Sequence, residues 1–205
     1  MSAPRFLPLT RDSMDDTQRA TAAELFASAA RADGPGGRHM VATGQFPGPY
    51  DFLLRSPEFA RRWKPCADYL RFETSLPAHL NELAILVQAR WWTAQFEWWA
   101  HEALALRAGV TQEVVDDLRA GRRPATLRDD EAAVYEFCVQ LMDERRVTEN
   151  VLARLRTLLT DRQVVDLVAV SGFYASVSMI LNTVEAPLPD GGMLPLGPRR
   201  GPLPS

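Results

Sequence analysis

The chain has 205 residues, of which 46% are hydrophobic and 24% charged, and its net charge is −3. This size and balance predict one globular domain with a sizeable core, and the weak negative charge gives no electrostatic reason to expect nucleic acid or an anionic membrane as partner. The fully apolar runs are far shorter than the roughly 20 residues of a membrane span, and the N-terminus has no apolar stretch typical of a signal peptide. We therefore expect a cytoplasmic protein without nucleic-acid or membrane partners.

Helical periodicity recurs along the whole chain and no segment alternates as a strand would, so the sequence predicts an all-α fold. The first helix is expected over residues 13–32, with Ser13 as its N-cap. Five Gly and three Pro in residues 33–55 indicate a long loop. The later helices are expected at residues 56–73, from 77 to the low nineties, from 94 onward, and at 110–120, 129–145, 148–159 and 161–184.

The chain is expected to form a single domain over residues 1–186. Residues 187–205 are rich in Pro and Gly and predict an irregular tail, either mobile or draped on a partner. The two cysteines are 72 residues apart. Cys138 shares a helical face with apolar residues, which favours a buried, inert thiol. Nothing near Cys66 supports a reactive role for it.

The segment of residues 81–101 gathers Glu82, Glu97, His101 and four of the five tryptophans. A straight helix would hold Glu82 and Glu97 about 22 Å apart along its axis. A shared site therefore requires the helix to break between them. We expect the break at Thr93, whose hydroxyl can cap a new helix that begins at Ala94.

This corner would place Glu97 in the first turn of the second helix and His101 one turn further on the same face. The helix dipole favours an ionised Glu97 unless burial outweighs it, and an ionised Glu97 would hold the imidazole in one orientation. The plainer alternative is a surface Glu–His pair worth a few tenths of a kcal/mol. An apolar pocket wall is expected from Trp91, Trp92, Phe96, Trp98 and Trp99.

Over residues 80–109, and more loosely over 48–189, the chain resembles the carboxymuconolactone decarboxylase family, which includes the alkylhydroperoxidase D proteins. The segments LRSPE (54–58), TDRQVVDL (160–167) and SMILN (178–182) fit as well. In the redox branch of this family, a Glu is followed 12 and 15 residues later by two cysteines and then by a His. These positions fall on Glu82, Ala94, Glu97 and His101, so both thiols are missing and the resemblance implies no disulfide-exchange peroxidase.

The decarboxylase branch works on a lactone acid without metal or organic cofactor. The resemblance therefore implies an all-α bundle that forms a homo-oligomer (dimer, trimer or hexamer) and carries out cofactor-free acid–base catalysis on a small carbonyl or lactone acid. The reaction would be decarboxylation, isomerisation or lactone opening. In this hypothesis His101 moves the proton, Glu97 orients it, and Glu82 relays the proton or holds substrate. Arg90 would anchor a carboxylate and Trp98 would contact the substrate.

Three other hypotheses stay open. The first is a metal site built from Glu82, Glu97 and His101, although the paired Glu-x-x-His helices of di-iron bundles are absent. The second is a binding or scaffold protein that kept the fold without catalysis. The third is a peroxidase that uses Cys66. The discriminating observation is whether the two carboxylates and the imidazole converge on a cavity.

Overall fold

The computed structural model describes residues 4–29, 34–189 and 191–198. Within these ranges all regular secondary structure is helical, so the predicted all-α fold is confirmed. Ten helices are present in the described part of the chain: α1 (Asp16–Ala29), α2 (Pro35–Thr43), α3 (Pro49–Leu53), α4 (Pro57–Phe72), α5 (Ala78–Trp92), α6 (Gln95–Ala108), α7 (Gln112–Arg119), α8 (Asp129–Glu144), α9 (Glu149–Leu158) and α10 (Asp161–Val184).

Helix α5 is the centre of the bundle. Every side chain of residues 83–90 is buried, as expected for a helix that is enclosed on all sides. Helices α6, α8 and α10 pack against it and form the main core. Helix α1 packs against α4 and α2, and a smaller apolar cluster joins α1 to Leu54.

The predicted helices from residue 56 onward are confirmed to within two residues at most ends. Two of their starts carry a side-chain cap. The Thr111 hydroxyl accepts a hydrogen bond from the backbone N–H of Val114, and Thr160 forms a reciprocal capping box with Gln163 at the start of α10. These caps satisfy backbone donors that the first helical turn leaves without partners.

Two predictions about the N-terminal third are wrong. Helix α1 begins at Asp16 rather than Ser13, because the Asp15 carboxylate accepts from the N–H of Gln18 and caps the helix. The predicted end at residue 32 lies outside the described residues. The long loop of residues 33–55 contains the helices α2 and α3. A proline at the first position starts each of them, so these prolines initiate helices rather than interrupt them.

The described part of the C-terminal tail, residues 187–189 and 191–198, forms no helix and packs on the chain itself. The side chains of Leu188 and Leu196 are buried in the main core. Leu196 is held at the start of α6, because its N–H donates to Gln95 Oε1 (2.9 Å) and its carbonyl accepts from Gln95 Nε2 (2.8 Å). Residues 199–205 lie outside the described ranges.

Helix α10 is long and apolar enough to cross a membrane by length and composition, which the short apolar runs of the sequence did not suggest. Nearly half of its most apolar window is buried within the protein. One such helix is weak evidence for a membrane span, because the core helix of a globular protein meets the same criteria. The packing of α10 along α5 is that of a core helix.

Candidate active site

The corner between α5 and α6 brings the candidate site together. The helix breaks at Thr93 and Ala94, as predicted, but the mechanism differs from the predicted hydroxyl cap. Thr93 ends α5 in the left-handed conformation (φ 52°, ψ 40°), and the Ala94 N–H reaches back to the Ala89 carbonyl at 2.8 Å. This is the Schellman arrangement that commonly ends a helix, although Gly usually occupies the left-handed position. The new helix then starts at Gln95.

Replacing Thr93 by Gly should raise the free energy of unfolding by up to about 1 kcal/mol, since a β-branched residue is strained in this conformation. Part of the gain is offset by the greater backbone entropy of Gly in the unfolded chain. Urea denaturation gives the measurement. Arg145→Gly is the matched control, because Arg145 also ends a helix at positive φ but is not β-branched, and a smaller gain is expected there. A loss of stability in Thr93→Gly would show that the corner is not strained.

Glu82 and His101 meet across this corner. Nδ1 of His101 lies 2.9 Å from Glu82 Oε2. A carboxylate only accepts hydrogen bonds, so Nδ1 carries a proton, and in the neutral imidazole Nε2 is then the basic nitrogen. The Tyr174 ring packs edge-on against the imidazole, with centroids 5.0 Å apart. The imidazole is therefore fixed in both tautomer and orientation.

The expected partner of His101 was Glu97, and this prediction is wrong. Glu97 is only 1% exposed, and its Oε2 accepts a hydrogen bond of 3.1 Å from the hydroxyl of Ser178 on α10. Among the described residues, Oε1 has no hydrogen-bond partner. Burial raises the pKa of Glu97 well above its ordinary value, although the bond from Ser178 opposes the shift. Burial thus favours the protonated acid.

Both His101 and Glu97 line a cavity of about 70 Å³ between five parts of the chain. This is space for roughly five water molecules, which suits a small organic ligand. Glu82 lies behind His101 and does not line the cavity. The walls are mainly apolar and are formed by Gly34, Gly36 and Gly37 of the α2 start, Pro47, Pro49 and Tyr50 of the α3 region, Trp63, Ala67 and Arg71 of α4, Phe96 and Ala100 of α6, and Phe173, Tyr174, Val177 and Leu181 of α10.

Among the described lining residues Arg71 is the cation, and the sequence analysis did not identify it. Burial disfavours its charge, but the nearby oxygens of Tyr174, Tyr50 and Glu82 more than compensate, so the pKa of Arg71 is raised. A sequence signal for it exists, because Trp63, Ala67 and Arg71 recur at four-residue steps on one face of α4. Ser178 has a similar signal as a polar residue within the apolar helix α10.

The structure places the two predicted substrate contacts, Arg90 and Trp98, away from the cavity. Arg90 is buried on α5, and its Nη1 donates to the carbonyl of Gly197 in the tail (2.9 Å). Trp98 is fully buried, and its Nε1 donates to Glu102 Oε2 (2.9 Å). Both side chains therefore contact other parts of the helical bundle and not the cavity. Of the predicted aromatic wall of α5 and α6, only Phe96 lines the cavity.

The two cysteines lie outside the cavity. Cys138 is buried, as predicted, and burial raises the pKa of its thiol to about 12, which disfavours a reactive thiolate. Cys66 is exposed on α4. Among the residues that the structure describes, no group of three or more His, Cys, Asp or Glu side chains is arranged to hold a metal ion.

No protein-family model matches the chain, and no curated protein matches its sequence. Solved structures do match its fold. One is the alkylhydroperoxidase AhpD core of an uncharacterized peroxidase-related protein from Ralstonia eutropha JMP134, with a TM-score of 0.71, 17% identity and coverage of 97% of this chain and 100% of that one. Another is an uncharacterized peroxidase-related protein from Silicibacter sp. TM1040, with a TM-score of 0.65, 16% identity and coverage of 91% and 94%. The chain therefore has the fold of the alkylhydroperoxidase D core.

Proposed function

We propose that this protein carries out cofactor-free acid–base catalysis on a small carbonyl or lactone acid, as the decarboxylase branch of the carboxymuconolactone decarboxylase family does. The reaction would be a decarboxylation, an isomerisation or a lactone opening. One observation carries the proposal: an oriented imidazole and a buried, protonation-favouring carboxyl group line the same small cavity.

His101 is the proposed base. Its Nε2 is the free basic nitrogen, because the Nδ1–H donates to Glu82. Glu82 acts through His101, and its carboxylate stabilises the imidazolium that forms when Nε2 takes a proton. We therefore assign Glu82 a positioning and charge-balancing role rather than substrate contact.

Glu97 is the proposed acid. Its Oε2 is occupied by the Ser178 hydroxyl, so the proton of the neutral acid belongs on Oε1, the atom without a partner among the described residues. A neutral carboxylic acid in a mainly apolar cavity can donate to a carbonyl oxygen on which negative charge develops. Proton transfer next to a carbonyl group requires a base that lacks its proton and an acid that carries one in the same cavity.

A peroxidase is the second candidate, because both structural neighbours are described as peroxidase-related. The arrangement of the thiols argues against it. Ala94 and Glu97 stand where the redox branch of the resembled family has its cysteines. Cys138 is buried with a raised pKa, and Cys66 does not line the cavity. A binding protein without catalysis remains the other alternative, and the same experiment separates all three.

Turnover of lactones and β-keto acids by the purified protein, followed by chromatography of the products, tests the proposal. We expect His101→Ala to lower kcat on the substrate found by about 100-fold or more, the usual contribution of a general base. His79→Ala is the matched control, because His79 also pairs with a carboxylate (Nε2 to Asp130 Oδ2, 3.0 Å) but lies outside the cavity. Full turnover by His101→Ala would contradict the proposal, as would peroxide reduction by the wild-type protein.

We also propose self-association and a cytoplasmic location, as the sequence predicts. The apolar side chains of Val165, Val168 and Met179 are exposed on α10, which supports a contact with a further copy of the chain.

A further inference from the structure

We propose that the cavity is selective for a small carboxylate, whose anionic group binds between Arg71 and the N-terminus of α2 while its reacting carbon faces His101 and Glu97. The second half of this statement rests on the proposed function, whereas the anion site stands on the following contacts.

Arg71 carries the positive charge of the site. It lines the cavity from α4, with its guanidinium over the Phe72 ring at 5.2 Å from the centroid. Within the described part of the chain, no carboxylate lies within ion-pair distance of it. Its neighbour Glu82 is engaged by His101 instead. A planar guanidinium without a carboxylate partner in a mainly apolar wall matches the two oxygens of a carboxylate ligand.

The start of α2 lies next to this guanidinium. A Cβ built on Gly34, the N-cap residue, would be 3.8 Å from Arg71 Nη2. The residues Gly36 and Gly37 of the first turn line the cavity, and a Cβ on Gly36 would meet no atom within 4 Å. The backbone N–H groups of a first helical turn have no acceptor within the helix and attract anions. The glycines let a ligand approach this backbone closely.

Glu97 is a second polar side chain of the cavity wall. Its side chain is 1% exposed, and Oε1 has no partner in the described residues. An unpaired polar atom of this kind costs stability unless a ligand or water completes its hydrogen bonding. Glu97 and His101 lie on α6, whereas Arg71 and the glycines lie on α4 and α2. A ligand with its carboxylate at Arg71 and a carbonyl or C–H group elsewhere would contact both groups.

The charges present also favour an anion over a cation. Among the described residues, the charged groups at or directly behind the cavity are Arg71 and Glu82, and the Glu82 carboxylate faces His101. Glu97 favours its neutral form. A bound carboxylate therefore meets the Arg71 cation in the described part of the wall. The aromatic rings of Trp63 and Phe173, tilted by 32° with centroids 4.4 Å apart, give its apolar part a surface to pack on.

The test compares benzoate with its neutral isostere benzamide by isothermal titration calorimetry on the full-length protein. We expect the wild-type protein to bind benzoate at least about tenfold more tightly than benzamide. Arg71→Gln should weaken benzoate binding by roughly 10- to 100-fold, the range of a charge-assisted hydrogen bond, and leave benzamide binding nearly unchanged. Arg71→Lys keeps the charge but loses the planar guanidinium that can donate two parallel hydrogen bonds. It should bind benzoate more tightly than Arg71→Gln but more weakly than the wild type.

Arg62→Gln is the matched control. Arg62 lies on the same helix, but its side chain is 74% exposed and pairs with Glu58, so benzoate affinity should not change. Equal affinity for benzoate and benzamide in the wild-type protein would overturn the proposal without any variant. Undiminished benzoate binding by folded Arg71→Gln or Arg71→Lys protein would overturn the role of Arg71.

The outcome is separable from that of the proposed function. His101→Ala should retain benzoate affinity while it loses turnover, because the anion site does not include the imidazole. Binding of benzoate through Arg71 together with full turnover by His101→Ala would sink the acid–base mechanism and leave the anion site intact. If His101→Ala loses turnover but the wild-type protein binds benzoate and benzamide equally, the anion site is contradicted and the acid–base mechanism stands.

Discussion

Replacing Gly48 by Ala should lower the free energy of unfolding by about 2–5 kcal/mol. Gly48 precedes α3 with φ 66° and ψ −129°, a conformation essentially restricted to glycine. A Cβ there would lie 2.4 Å from Cε1 of Phe96, and the neighbouring ring atoms are also within 3 Å. The side chain therefore adds a steric clash to the backbone strain. Chemical denaturation of the variant and the wild type measures the difference.

Gly44→Ala separates the two contributions. Gly44 ends α2 with φ 71° and ψ 5°, and a Cβ on it would meet no atom within 4 Å. Only the left-handed backbone is strained there, so a loss of about 1 kcal/mol is expected. Because Phe96 lines the cavity, Gly48→Ala should also weaken ligand binding, whereas Gly44→Ala should not. Equal losses of stability in both variants would show that Phe96 moves aside freely.

Replacing Glu97 by Gln should stabilise the protein by an amount that grows as the pH rises. In the unfolded chain Glu97 loses its proton near its ordinary value of 4.5, but in the folded protein burial raises its pKa well above that. Between these two values the folded state binds one proton more than the unfolded state, so the wild-type protein loses stability with rising pH, by up to about 1.4 kcal/mol per pH unit. Gln does not titrate and escapes this loss.

The measurement is the difference in unfolding free energy between Glu97→Gln and the wild type, from pH 4 upward. Asp166→Asn is a control of opposite sign. Burial opposes the Asp166 charge, but hydrogen bonds from Ser75 and Tyr69 outweigh it and lower its pKa. That carboxylate contributes stability above its ordinary value of 3.8, so its loss should be felt at neutral pH and fade in acid. A pH-independent effect of Glu97→Gln would mean that Glu97 is ionised in the folded protein.

The position of the corner could be predicted from the sequence, because two carboxyl groups 15 residues apart on one helix cannot share a site unless the helix breaks. The hydrogen-bond partner of His101 could not be predicted in this way. Both Glu82 and Glu97 are compatible with the local spacing, and the choice depends on how α10 packs. Ser178 of α10 binds Glu97 and buries it, which leaves Glu82 to the imidazole. Ser178 and Glu97 are 81 residues apart in the sequence, so local spacing cannot predict their contact.

The arginine that binds a carboxylate could not be predicted from local spacing either. Arg90 is the predicted carboxylate anchor, whereas Arg71 of α4 lines the cavity. The fold places Arg90 outside the cavity, where its guanidinium donates to the tail. The glycines and prolines of residues 33–55 predict a loop, but this segment contains the helices α2 and α3 that complete the cavity. In both first turns, proline starts the helix instead.

Two hydrogen bonds join Gln95 and Leu196, and this clasp couples the local stability of the tail to that of the corner between α5 and α6. Both hydrogen bonds of this clasp end on the first residue of α6, two positions before Glu97. Detachment of residues 191–198 would remove the Leu196 side chain from the core and release that first turn. The amide proton of Leu196 is therefore a reporter whose exchange with solvent tracks local opening beside Glu97, separately from global unfolding.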